Sequence, residues 1–304
     1  MLERILIIPT ISLVSLLQSL PLILVARIGR FFGAFFYFID ASHRKTTLKN
    51  LSNSFGEEKT SLDIRKIAKE HFRRLGENYC CAIKTASMSD EEISKIIEPE
   101  GFERFRKSKE GQLDQSLIVA AGHFGNFELM ARTGIFIPGY TLATPYRRLK
   151  HPLFTKLMKK VRQKSGTLYF DRQSEGKKLR KQFKPQGWLL GFLSDQHGGN
   201  RGIPSRFFGQ ECSTSQASVS FALRYNCPLY TMICFRNSPG RWKIRLGDQI
   251  PTKIDGNARP VHEIIQAIND EFEKAVREDP PNWFWVHRRW KRVKRKLPQR
   301  GKQP

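Results

Sequence analysis

The run Ala120-Ala121-Gly122-His123-Phe124-Gly125-Asn126-Phe127-Glu128 holds the residue types that proton transfer needs. A histidine titrates near neutrality and can take a proton from a hydroxyl. A carboxylate on its other ring nitrogen fixes the tautomer and stabilises the imidazolium that forms. On a regular helix, positions five apart differ by about 140° in direction. The pair therefore requires His123 in the turn, reaching back to Glu128 on the first helical turns. A hydrogen-bonded histidine at a strand end is the purely structural alternative. Ser194 and Ser213 lack a Gly-x-Ser-x-Gly elbow, so no acyl-enzyme is expected. The five cysteines form no C-x-x-C and no His/Cys set with zinc spacing. They are read as reduced packing residues, and neither a metal nor a cofactor is expected.

Several elements must position that histidine. Leu117–Ala121 is a fully apolar run of the kind that forms a buried strand, and ligands of α/β sheets bind at the carboxyl ends of strands. Further strands are expected at 140–144, 167–170, 188–193, 229–235 and 242–246. Helices are expected at 60–84, 125–134, 152–165, 174–184, 214–226 and 261–277. The first of these carries a capping pattern at Thr60 and Asp63. It continues in an apolar stripe through Ile64, Ile67, Ala68, Phe72, Leu75, Tyr79 and Ile83. The last begins after Pro260. Strands alternating with helices imply an α/β fold: a single domain with a mainly parallel central sheet flanked by helices.

The N-terminus is different material. Ile5 to Ala26 is 22 residues without a charge, about 33 Å as a helix. Arg27 and Arg30 follow, then a second apolar burst, Phe31 to Ile39. A signal peptide is disfavoured because Glu3 offsets Arg4 and no clean cleavage site follows. A buried core helix is the plain alternative to an uncleaved membrane-anchor helix, spanning or interfacial. The expected division is an anchor at 1–40, the main domain at 41–292 and a basic tail at 293–304. Across 304 residues, 53 Lys and Arg against 28 Asp and Glu leave a net charge of +25. At 39% hydrophobic residues this is not a disordered polycation. The excess points to an anionic partner: nucleic acid, a lipid surface or an acidic protein.

From about Phe38 to Lys291 the chain resembles the bacterial lipid A biosynthesis late acyltransferases, the lauroyl/myristoyl transferase family of the lysophospholipid-acyltransferase-like superfamily. Five stretches carry the resemblance in order: Arg44…Asn50-Leu51…Phe55-Gly56; Gly122 to Glu128, which matches the family's His-x4-Glu motif; Tyr146-Arg147…Pro152; Ser194-Asp195-Gln196 with Arg206-Phe207-Phe208-Gly209; and Trp283 to Lys291, WFWVHRRWK. Arg148 and His151 stand where the family usually has Pro and Asn, and Gln210 to Thr214 is longer and more polar than usual. Related glycerolipid acyltransferases normally have Asp in place of Glu128 and Asn before the His, where this chain has Gly122.

The resemblance implies a membrane-associated O-acyltransferase. It implies His123 and Glu128 as catalytic residues, with Arg147, Asp195 and Gln196 as substrate-binding candidates; Asp195 and Gln196 have strand capping as the plain alternative, and Arg172, just beyond Asp171, is a further acceptor-site candidate outside the matched stretches. The implied donor is acyl carrier protein, the acceptor a lipid A precursor or another glycolipid, and the location the inner membrane with the site facing the cytoplasm. The nine Lys and Arg of 288–304 suit an anionic leaflet, while Lys156, Lys159 and Lys160, in the basic stretch beside Arg147, have a solvated helix face as the plain alternative to a role toward the acceptor. Trp283, Trp285 and Trp290 are candidates for the lipid interface, with core packing as the alternative. Other classes remain: an acyltransferase on another lipid, a thioesterase with water as acceptor, an inactive scaffold, or a nucleic-acid-binding protein. No helix-turn-helix, zinc finger or RNA-recognition signature supports the last, and no nucleic acid is expected as a partner.

Overall fold

The computed structural model describes residues 2–105, 115–148 and 152–292. His151 and the basic tail expected at 293–304 lie outside the described residues. Four helices open the chain: α1 (Leu2–Ser19), α2 (Leu22–Ile39), α3 (Ala41–Phe55) and α4 (Ser61–Thr85). The uncharged run 5–26 is thus not one helix. It breaks at Leu20–Pro21, because a proline there cannot donate to the preceding turn and its ring crowds the carbonyl four residues back. Pro21 instead caps the start of α2. The expected helix at 60–84 forms with one-residue shifts. Thr60 Oγ1 accepts from the Asp63 N–H at 3.2 Å.

α2 is packed onto the domain. A Cβ on Gly29 would stand 2.6 Å from the Gly76 carbonyl oxygen, and one on Gly33 2.1 Å from that of Phe72, so the two helix backbones touch. Arg30 of α2 donates to Glu70 at 3.0 Å and to Glu77 at 3.3 Å. Glu77 is fully buried and also accepts from Arg236 at 2.9 Å.

After a short α5 (Asp90–Ser94), the strands and helices alternate: β1 (Ile97–Glu100), β2 (Leu117–Ala121), β3 (Thr141–Tyr146), α6 (Pro152–Arg162), β4 (Leu168–Asp171), α7 (Gly176–Gln182) and β5 (Trp188–Leu193). A hairpin of β6 (Ile203–Phe207) and β7 (Gln210–Thr214) follows, then α8 (Ala217–Tyr225), β8 (Leu229–Ser238), β9 (Arg241–Ile250) and α9 (Val261–Glu278). The main sheet runs β1-β9-β8-β2-β5-β3-β4. Its pairings are parallel except the β8–β9 hairpin. The expected helix at 125–134 is instead a run of 3₁₀ turns, Phe127–Phe136.

β2 is buried on both faces, as a central parallel strand must be. Ile118 and Ala120 join one apolar core, while Leu117, Val119 and Ala121 join the other.

Candidate active site

Strand register builds the site. In the parallel β2–β5 pair, Ala121 lies opposite Leu193, and the Ser194 N–H donates to the Ala121 carbonyl at 2.8 Å. His123 and Asp195 each stand two residues past those opposed ends, so the register brings them together. The Asp195 carboxylate takes three hydrogen bonds. The His123 ring Nδ1 lies 2.7 Å from Oδ1, the His123 backbone N–H donates to Oδ2 at 2.9 Å, and the Trp283 indole N–H donates to Oδ2 at 2.8 Å. Burial alone would raise the Asp195 pKa; the charge and hydrogen bonds of His123, with the Trp283 bond, outweigh it and hold the carboxyl below its ordinary value. An ionised carboxylate only accepts. Nδ1 therefore carries a proton, and in the neutral form of the ring Nε2 is the acceptor.

The expected His123–Glu128 pairing is thereby corrected. Glu128 follows on the 3₁₀ turns and is engaged by Arg162, the last residue of α6, whose Nε donates to it at 2.9 Å and whose terminal nitrogen closes a second bond. The neighbouring strand, not the following turn, supplies the carboxylate that braces the imidazole. For Arg162, burial would lower the pKa, but the Glu128 contacts prevail and raise it.

The turn glycines fix position rather than provide flexibility. A Cβ on Gly122 would meet the Phe124 ring at 2.5 Å. Gly125 has φ of +50°, and its Cβ would meet the Cys234 carbonyl at 2.6 Å. The Phe124 N–H bonds the Gly122 carbonyl and the Gly125 N–H bonds Asn282. These two groups, natural candidates for an oxyanion site, are therefore already committed. The His123 ring packs against Phe127 and Phe284, with centroids 4.8 and 5.8 Å away.

His123, Glu128 and Arg162 line one cavity of about 530 Å³, within the usual size for a ligand site. One face of α4 from His71 to Thr85 borders it, a length of about 21 Å by helix rise. Leu75, Ala82, Ile83, Leu129 and Val161 make the wall largely apolar. His71 is buried there, and burial lowers its pKa to about 4, so it is neutral. The cavity can admit an extended apolar chain beside a general base.

The C-terminal segment holds this corner shut from behind. Trp283 and Trp285 are buried, in the core rather than at an interface. The Asn50 amide donates to the Trp285 and His287 carbonyls at 2.8 and 2.9 Å. Arg289, fully buried, donates to the Gln196 carbonyl at 3.0 Å and the Ser213 carbonyl at 2.6 Å. Gln196 thus contributes its backbone to the support of the site. Arg147 and Arg172 are exposed beyond the paired ends of β3 and β4, outside the cavity lining. Arg148 is tied to Asp171 at 2.8 Å. Among the described residues, no three His, Cys, Asp or Glu side chains gather as a metal ion would require.

Sequence reasoning missed Asp195 as the ring's partner, together with Trp283 and Arg162. A signal existed: a His and an Asp each two residues beyond an apolar strand. Using it requires knowing that those two strands are neighbours.

The model of the bacterial lipid A biosynthesis acyltransferase family matches residues 1–292. The chain belongs to this family. It is accordingly an acyltransferase of lipid A biosynthesis, and the apolar cavity is the feature such chemistry demands. No individually curated protein matches the chain.

Proposed function

We propose that this acyltransferase moves a fatty acyl group from an acyl thioester, carried by acyl carrier protein, to a hydroxyl of a lipid A precursor or related glycolipid. His123 Nε2 takes the hydroxyl proton as the oxygen attacks the thioester carbonyl. Asp195 stabilises the resulting imidazolium. A tetrahedral oxyanion forms, the C–S bond breaks, and the departing sulfur takes the proton from the imidazolium, leaving an ester and a thiol. General-base assistance of this kind contributes about 10²–10⁴-fold. Glu128 anchors the Arg162 guanidinium at the cavity wall, and that cation is the proposed stabiliser of the developing negative charge. The reaction takes place at the cytoplasmic face of the inner membrane. The +25 charge favours encounter with an acidic carrier protein and an anionic leaflet.

The observation that carries this reading is the imidazole itself: Nδ1 on a buried carboxylate, and the ring lining a mostly apolar cavity. The test supplies purified full-length chain with acyl carrier protein thioester and a lipid A precursor. A mass gain of one acyl group is expected. His123→Ala is expected to lower the rate about 10³-fold with the fold and membrane binding intact. Undiminished transfer by His123→Ala overturns the mechanism, and free fatty acid as the main product makes the chain a thioesterase. A precursor that gains nothing, while lipids from cells with and without the chain differ by one acyl group on another lipid, moves the acceptor.

A further inference from the structure

α2 has the length and composition of a membrane span, yet it is fastened along its length to α4. The contact is backbone to backbone at Gly29, Gly33 and Gly76. Arg30 is locked to Glu70 and Glu77. α4 carries nine charged side chains. Standing α2 upright in a bilayer would either tear this network apart or carry α4 into hydrocarbon, where charges are strongly disfavoured.

The opposite face of α2 is a sheet of exposed phenylalanines: Phe31 at 70%, Phe38 at 67%, and Phe32, Phe35 and Phe36 at about half. Leu13 and Leu16 of α1 are exposed as well. α1 turns Thr10 and Val14 to the cavity, and it is tied to α4 by Lys84 donating to the Gln18 carbonyl at 2.6 Å. Arg27 on α2 and Lys45 and Lys49 on α3, the next helix, are exposed cations, of the kind an anionic headgroup layer attracts.

We propose that the chain is monotopic: the outer faces of α1 and α2 lie in the plane of one anionic lipid leaflet, neither helix crosses it, and the cavity bordered by α1 opens into that leaflet. The acceptor lipid then reaches His123 sideways, without leaving the lipid layer. This deepens the function proposed above by fixing how the lipid arrives, and it rests on that reading only for the identity of the cargo.

Two measurements test it on the full chain. Ser19→Cys sits at the exposed end of α1. A membrane-impermeant maleimide, compared against the unsubstituted chain, should label it only from the cytoplasmic side, the side on which an N-terminal tag is also digested. Labelling at Ser19→Cys from the periplasmic side, or a tag protected from the cytoplasmic side, shows a span and overturns the proposal. Replacing Phe31, Phe32, Phe35 and Phe36 together by Ser should weaken binding to vesicles of phosphatidylethanolamine and phosphatidylglycerol by about tenfold or more. Turnover of detergent-dispersed acceptor should be unchanged. Unchanged vesicle binding also overturns the proposal. If His123→Ala retains both labelling pattern and vesicle binding while the wild type transfers no acyl group, the orientation stands and the assigned reaction fails.

Discussion

Two carboxylates serve the site, Glu128 on the cavity wall and Asp195 behind His123, and they are built in different ways. Asp195 is 1% exposed. It is placed by a strand in the middle of the sheet and takes donors from the backbone, an imidazole and an indole. Glu128 is partly exposed, sits on short 3₁₀ turns, and is held by one guanidinium. The first is fixed by the core before any substrate arrives; the second is held by a partner that is itself a side chain on a short helix. A residue placed by sheet register is costly to disturb, whereas one held by a single ion pair at the surface is not.

The sharpest way to break this comparison is Asp195→Asn. An amide offers one acceptor oxygen where three donors converge, so the ring loses its orientation and its counter-charge. The rate is expected to fall about 10³-fold, and stability by about 2 kcal/mol from the poorly matched donors. The pH dependence follows from the sign of the shift. Asp195 has a folded pKa below its unfolded value. Its stabilisation is therefore fully present above the ordinary carboxylate value of about 3.9. It is lost as pH falls through the lower folded value. Denaturant titrations across that range should show the wild type losing its advantage in acid, with Asp195→Asn lacking it throughout. Equal stability of the two chains at neutral pH contradicts the arrangement.

The same contrast explains what could be read from the sequence. Leu117–Ala121 and Trp188–Leu193 were legible to the residue because continuous apolar runs of that length fit buried parallel strands. α4 and α9 were legible from their stripes. Which strand lies beside which is set by crossovers, and nothing local to His123 announces that β5 is its neighbour. The carboxylate nearest in sequence was therefore credited with the role that the register gives to Asp195. The break at Pro21 was written in the residue type, but the apolar composition on both sides obscured it. The fastening of α2 to α4 depends on glycines that carry no hydropathy signal. β6 and β7, polar and short, escaped notice for the same lack of pattern.

A second test compares Glu128→Gln with the substitution above. The Gln side chain keeps the shape but loosens Arg162, so kcat is expected to fall about 10- to 100-fold, with KM little changed. Thermal stability should fall only modestly, by about 1 kcal/mol, because the pair is partly screened by solvent, its side chains being 20% and 27% exposed. Steady-state kinetics and a melting curve measure both. A loss larger than that of Asp195→Asn would reverse the ranking and return the bracing role to Glu128.

The smallest effect is expected where the site is basic and least enclosed. Arg147 and Arg172 follow directly on Tyr146 and Asp171, which are paired in register, and the Arg172 N–H bonds the Tyr146 carbonyl. Two exposed cations are thereby set side by side outside the cavity. Such groups can hold the phosphates of an acceptor too large to enter whole, but water and salt weaken each contact. Arg147→Ala and Arg172→Ala should each raise KM for a phosphorylated acceptor about three- to fivefold and leave kcat alone. The difference from wild type should fade as salt shortens the screening length below about 8 Å. A fall in kcat with KM unchanged would place these residues at the reacting atoms. The enclosed site would then extend past the strand ends, and the sharp division between a fixed interior corner and a loosely held periphery would no longer hold.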